Sequence, residues 1–368
     1  MSTDPSSVPS TPGGPVSPVS AGSPGIPVSP VSASSPGAPE AVAPSRSGRG
    51  ASLRAHLQPH PPTPPAPSGS RAGRNLKLAI PTAVILLALV ALSVTFRIEI
   101  FVILVAIALC IAIWEVAGAF LNRGIRIAVI PLMAGVVAMV AATWWGGLLA
   151  GFGAYIATAF VHGLWIGCRE LIATRRSRDA APSSGDTAAS SPLPASDAKT
   201  PARSGRDAGA GAFAAAWIGL LGTFAVALAG TEAAAAHIAV LILMPVANDT
   251  GGWAAGVLFG KHPLAPKISP KKSWEGFAGS IILALVFAFP LMGLWLGHPW
   301  WVCVLTAVVA VVCCTGGDLA ESMLKRELGV KDMGSIFPGH GGMLDRLDSI
   351  LMWAPFCYLI VAWAGGIL

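Results

Sequence analysis

The sequence predicts an all-α polytopic membrane protein, with about nine transmembrane helices behind a disordered Pro/Ser-rich N-terminal tail. Three observations predict it. The 368-residue chain has a mean hydropathy of +0.67, with 54% hydrophobic and only 11% charged residues, a composition found in membrane proteins and not in soluble globules. From residue 77 onward, apolar runs of membrane-crossing length follow one another almost without pause. The lysines and arginines fall almost wholly in alternate connections between those runs.

Residues 1–74 precede the first run. Pro, Ser, Gly and Ala dominate there, and Pro-Val-Ser-Pro-Val-Ser recurs from Pro15 and from Pro27. Apolar side chains are too sparse to form a core, so a disordered cytoplasmic tail with local polyproline II character is expected. A basic start followed by a short apolar segment, the mark of a cleaved leader, is missing. The first apolar run is therefore expected to remain as a membrane helix.

Spans are expected at 77–96, 98–120, 126–143, 146–167, 210–229, 234–258, 276–297, 300–319 and 349–367. A hydrocarbon core of ~30 Å takes about 20 helical residues, and backbone groups in lipid must pair within the segment, so runs of this length are helices. The Ser-, Ala-, Pro- and Asp-rich stretch 169–209 is expected to be a disordered cytoplasmic linker. It separates a four-helix part, 75–168, from a five-helix part, 210–368, that carries most of the intramembrane charge. Within the first part Glu115 stands out, either facing a cavity or bonding to a neighbouring helix. The six cysteines lie in or beside apolar runs without metal-ligand spacing and read as buried thiols.

Of the 24 lysines and arginines, only Arg97 lies on the face opposite the tail. By the positive-inside rule the tail and the even-numbered loops are cytoplasmic, and the C-terminus is outside. The pI of 9.2 thus reflects where the charges sit in the membrane and does not imply a nucleic-acid partner.

Polar side chains of the second part gather at one depth. Asn248 and Asp249 lie near the inner end of the sixth span. Asp318 ends the eighth, with Glu321, Ser322 and Lys325 continuing its face at steps of three and four, and Asp345 and Asp348 begin the ninth. Acids converging at a membrane boundary either form a salt-bridge network or hold a cation. Their surplus favours a hard divalent cation, with Asp249, Asp318, Asp345 and Asp348 as ligands. Ahead of the seventh span, Ser269-Pro270-Lys271-Lys272-Ser273 presents two ammonium groups and two hydroxyls on a rigid turn suited to a polyphosphate. Glu275 behind it orients a lysine or touches the metal.

The stretch Ser322–Asp348 concentrates the remaining charge, four acids and four bases in 27 residues. Lys325, Arg326 and Lys331 suit phosphate oxygens, and Asp332 follows directly. Pro338-Gly339-His340-Gly341-Gly342 forms a tight turn whose backbone N–H groups can approach an anion. Asp345, Arg346 and Asp348 then open the last helix. One substrate is expected to be a lipid and the other a soluble polyphosphate. A lipid phosphate attacking a nucleotide is already an anion and needs no strong base. His340 is accordingly read as a donor to phosphate, with a base or a purely structural turn residue as alternatives.

The order Ser-x-x-Lys-Arg, four residues, Lys-Asp, five residues, Pro-x-His-Gly-Gly, two residues, Asp-Arg-x-Asp resembles the signature of phosphatidate cytidylyltransferases (CDP-diacylglycerol synthases). The likeness extends to Asn248-Asp249 and to the run from Ile268 to Gly276, and covers roughly 75–368, the first half by hydrophobic character only. It implies transfer of CMP from CTP to phosphatidic acid, giving CDP-diacylglycerol and pyrophosphate for phospholipid synthesis at the cytoplasmic face of the plasma membrane. It also implies Mg²⁺, K⁺ as a candidate second cation, and a homodimer. On this resemblance the catalytic set is Asp318, Lys325, Arg326, Lys331, Asp332, His340, Asp345, Arg346 and Asp348. Asn248, Ser269, Lys271, Lys272, Ser273, Glu275, Ser322, Gly341 and Gly342 bind substrate. Two other classes fit less well. A CTP-dependent kinase of a polyprenol or phytol needs a base for its alcohol, and a transporter would spread charge along a path between matched halves.

Overall fold

The computed structural model describes residues 76–179, 201–334, 336 and 341–366, together with Pro59. The rest of the expected tail, the middle of the expected linker at 180–200, and His340 lie outside the described residues.

Helices α1 (Leu76–Phe96) and α2 (Ile98–Leu121) are separated by Arg97 alone, extended at φ −155°, ψ 113°. Helix α3 (Val129–Asp179) is folded on itself at Gly147, where φ is 75° and ψ −178°. That backbone conformation is open to glycine and strained for any residue with a Cβ. Its two arms, 129–146 and 148–179, run back along each other, with Gly135 against Thr158 and Gly151 against Thr143. Trp144-Trp145, the expected junction, falls at the end of the first arm.

Helix α4 (Pro201–Ala214) passes through a π-helical stretch, Ala215–Leu220, into α5 (Leu221–Ala229), and α6 (Ala234–Phe259) returns. Strands β1 (Pro263–Ala265) and β2 (Ser269–Ser273) pair antiparallel. Helix α7 (Trp274–Ala288) continues as a π-helical segment, Phe289–Trp295, entered through a proline. Helices α8 (Trp300–Leu328) and α9 (Leu344–Ala364) complete the bundle.

Among the described residues seven helices are long and apolar enough to cross a membrane. With α3 folded into two arms, and with the shorter apolar piece Val84–Phe96 of α1, these helices account for the spans the sequence predicts. Three boundaries differ. The expected linker is helical at both margins, since α3 runs on to Asp179 and α4 starts at Pro201. Asp207, within that margin, is buried and accepts a hydrogen bond from the Arg126 backbone N–H at 3.1 Å. Helix α8 has 29 residues, ~43 Å at 1.5 Å per residue, so its charged end extends well beyond the ~30 Å a bilayer core requires. Helix α9 starts at Leu344 and not at 349, which places Asp345 and Asp348 in its first turns.

Two apolar cores hold the bundle together. One joins α2, the first arm of α3 and the π-interrupted α4–α5. The other is built by α5 to α9 around Met244, Met292, Cys314 and Trp353. Val226 and Leu351 belong to the first core, and Phe224 and Trp353 to the second, so α5 and α9 serve both.

Candidate active site

Four helices of the second core, α6 to α9, end around a cavity of about 610 Å³ whose remaining walls are the β-hairpin and Asp332 of the loop between α8 and α9. Its back is organised by Asn248 of α6. The backbone carbonyl of Asn248 accepts from Ser280 Oγ of α7 at 2.6 Å, and its Oδ1 accepts from Thr315 Oγ1 of α8 at 3.2 Å. Its amide donates to Asp249 Oδ1 at 3.1 Å. One residue thus joins three helices, through its backbone carbonyl and its side chain, and orients the neighbouring acid. Helices α8 and α9 meet just as closely: Gly317 leaves no room for a Cβ against the Asp348 carbonyl, and Ser349 Oγ donates to the Cys314 carbonyl at 3.2 Å. This contact brings Asp318 and Asp348 onto facing sides of one gap.

Asp318, Glu321 and Asp348 each offer a carboxylate oxygen within 4.8 Å of the others. Glu321 is fully buried, and its Oε1 has no hydrogen-bond partner among the described residues. Its Oε2 takes a hydrogen bond from Lys325, one helical turn on. Asp348 is buried and accepts from the Ser349 backbone N–H at 2.6 Å. Two lysines counter the acids. Lys272 Nζ reaches from β2 to Asp318 at 2.6 Å, closing the hairpin over the cavity. Lys325 lies between Glu321 and Asp345 and binds both.

Asp345 serves the loop that precedes it. Its carboxylate accepts from the backbone N–H of Gly342 at 2.6 Å and of Met333 at 3.2 Å, besides the Lys325 ion pair. Gly341, at φ 79°, packs so tightly that a Cβ there would meet Asp345 Oδ2 and Asp332 Oδ1. Both ends of the signature loop are therefore gathered around one acid.

Most of the residues singled out in the sequence come together here. Asn248, Asp249, Ser269, Lys271, Lys272 and Ser273 line the cavity from α6 and the hairpin. Asp318, Lys325, Asp332, Asp345, Arg346 and Asp348 line it from α8, the loop and α9. Ser273 also caps α7, accepting from Gly276 N at 3.1 Å. Ser322 and Gly342 do not line the cavity but lie close in sequence to residues that do. Arg326 and Lys331 are exposed, the one following the lining residue Lys325 in sequence and the other preceding Asp332. Glu275 lies apart from the lining. Its Oε2 accepts from the backbone N–H of Lys261 and of His262, each at 3.2 Å, and its Oε1 binds His262 Nδ1 at 2.6 Å. It fastens the base of the hairpin.

Glu321 and Thr315 are the functional residues left unassigned from sequence. Both extend the helical face of Asp318 by three residues, one in each direction, and that spacing is the signal that finds them. Of the four acids expected as ligands, Asp318 and Asp348 belong to the close cluster, together with Glu321, while Asp249 and Asp345 are not part of it.

The oxygens of the cluster suit a hard cation. An Mg²⁺ ion with oxygens at ~2.1 Å holds neighbouring ligands ~3.0 Å apart and opposite ones ~4.2 Å apart, so three oxygens within 4.8 Å of one another come onto one ion by side-chain movements of about an ångström. The unpartnered Glu321 oxygen is the kind of buried acceptor such an ion satisfies.

Fold and site together define an integral membrane enzyme with a charged cavity at one end of its bundle. The chain belongs to the cytidylyltransferase family, whose profile matches residues 77–364. It is 39% identical over 296 residues to a phosphatidate cytidylyltransferase of Mycobacterium leprae, covering 80% of this chain and 88% of that one. The enzyme of the same name from Mycobacterium bovis is 38% identical over 296 residues, covering 79% and 90%. That of Bacillus subtilis is 47% identical over 117 residues, covering 31% of this chain and 43% of its own.

Proposed function

We propose that the chain transfers CMP from CTP to phosphatidic acid, giving CDP-diacylglycerol and pyrophosphate for phospholipid synthesis. The observation that carries this reading is the cluster Asp318–Glu321–Asp348 facing Lys271, Lys272 and Lys325 in one cavity, in a chain that matches the family over nearly all of its membrane part. A phosphate oxygen of the lipid attacks the α-phosphorus of CTP. The bond from that phosphorus to the bridging oxygen breaks, and pyrophosphate leaves. Lys271 and Lys272 on the hairpin side of the cavity grip the β- and γ-phosphates, and Arg346 together with the exposed Arg326 and Lys331 receives the lipid phosphate. Asn248 orients Asp249, and Lys325 holds α8 and α9 at a fixed separation. The nucleophile is anionic from the start, so no residue need act as a base.

Asp318, Glu321 and Asp348 would hold Mg²⁺, with Asp249 lining the same cavity and K⁺ as a second cation. Asp345 would join only by releasing the loop. When bound, the divalent ion supplies charge neutralisation for the transferred and leaving phosphates. In orientation, the cavity faces the cytoplasm, where 23 of the 24 lysines and arginines fall, the C-terminus is outside, and the membrane is the plasma membrane. The working unit is a homodimer.

Purified protein in vesicles containing phosphatidic acid, given CTP and Mg²⁺, tests the reading. Label from the α-phosphate of CTP should enter the lipid fraction and label from the γ-phosphate should not. Entry of γ-label would instead identify a lipid kinase.

A further inference from the structure

We propose that Glu115 of α2, in the half of the protein whose described residues contribute nothing to the cavity lining, is a positioning residue for the transfer site. It sits at the base of the signature loop. Its Oε2 accepts the backbone N–H of Leu344 at 3.0 Å, from a partner 229 positions away in sequence. Leu344 is the first residue of α9, and α9 has no side-chain cap of its own, since Met343 stands at its N-cap. A carboxylate at a helix N-terminus satisfies an orphan donor and complements the helix dipole. Here that cap comes from a different helix.

The same carboxylate is wrapped by the loop's two ends. A Cβ on Gly334 or on Gly342 would overlap the Glu115 carboxyl group, so the chain entering the loop and the chain leaving it both close on one acid. Gly342 also donates to Asp345, and Asp345 pairs with Lys325. Glu115 is thus one short step from the group that locks α9 to α8, and α9 carries Asp348 of the cation cluster. Glu115 is 2% exposed, and a carboxylate so buried is tolerated where its oxygens are used, here by the backbone N–H that opens α9.

The inference rests on the proposed CMP transfer, so the wild-type reaction is the first control: no CDP-diacylglycerol from wild type defeats that reading and leaves the role of Glu115 to hydrogen exchange alone. The test compares Glu115→Gln, which keeps an acceptor for Leu344, with Glu115→Met, which keeps the volume and removes every acceptor. Each is measured for melting temperature, for kcat, for the Mg²⁺ concentration giving half-maximal rate, and for hydrogen exchange over residues 333–348. The Gln variant is expected within about fivefold of wild type in kcat with unchanged Mg²⁺ response. The Met variant should fold yet lose at least ~30-fold in kcat, because a misplacement of about 1 Å costs on that order. It should also need several-fold more Mg²⁺ and exchange faster over 333–348. A Met variant with wild-type kcat, Mg²⁺ response and exchange would show that Glu115 only fills space. If the Met variant does not fold, the Gln variant decides. A folded Gln protein that has lost activity overturns the hydrogen-bonded cap, and one that keeps it supports the cap.

Discussion

Asp345 and Lys325 form an ion pair that joins α9 to α8 at the edge of the cavity, and the same Asp345 carboxylate receives the backbone of both ends of the signature loop. Asp348, three residues on, has a different setting, buried among acids beside Asp318 and Glu321. The two aspartates should therefore respond differently to the same substitution. Asp345→Asn removes the charge Lys325 pairs with and weakens the loop's acceptor, so the melting temperature should fall by several degrees, as expected for ~1–2 kcal/mol. Asp348→Asn relieves repulsion between acids and should leave the melting temperature unchanged or higher, while activity drops at least ~100-fold. Thermal melts and Mg²⁺-dependent turnover on both proteins check the contrast. Equal melting temperatures would assign the two residues one role.

Lys272 reaches Asp318 from the hairpin at 2.6 Å and has to release it to hold a phosphate. Lys272→Ala should raise the KM for CTP by about tenfold with a smaller change in kcat, the pattern of a contact made in ground and transition states alike. Initial rates across a CTP series measure this. A large loss in kcat at unchanged KM would mean that the lysine acts on the transferred group itself.

Gly341 has a left-handed φ of 79° and abuts both Asp345 and Asp332. Gly341→Ala adds ~1–2 kcal/mol of backbone strain and a clash with the carboxylate that organises the loop, so activity should fall at least ~10-fold in protein that still folds. Wild-type turnover in that variant would show that the loop has another conformation available.

The proposed orientation makes its own demand. In a background with the six cysteines replaced, Lys267→Cys in the hairpin should react only with reagent that reaches the cytoplasm, and Glu232→Cys, between α5 and α6, only with reagent outside. Labelling of the Lys267 position in sealed cells by an impermeant maleimide would invert the topology.

Much of this was legible in the sequence. Spans of ~20 apolar residues have one backbone solution in lipid, and loop charge fixes the expected alternation, so helix number and order follow from composition and length. The convergence of Asn248, Asp318 and Asp348 was legible too, because each sits at the same end of its run. Local sequence is silent on contacts made across the bundle. Glu275 looked like a metal or lysine partner because its neighbours are Ser273 and two lysines, but its carboxylate meets the backbone of Lys261 and His262, which only the hairpin brings close. Glu321 was visible as a member of the α8 face, and only the approach of α9 at Gly317 makes it part of a cluster. The ends of α8 and α9 lie past the apolar runs because capping and ion pairs, such as those of Lys325, extend a helix beyond what hydropathy marks.

The central claim is that Asp318, Glu321 and Asp348 form a cation site, and binding tests it without turnover. Mn²⁺, a hard cation that accepts the same oxygen ligands, can replace Mg²⁺ and be followed by electron paramagnetic resonance. Titrated into purified wild-type protein and into Glu321→Gln, Mn²⁺ should bind the wild type at a saturable site and the variant at least ~10-fold more weakly, as expected when one charged ligand of three is lost. Equal affinity in the two proteins would contradict the account.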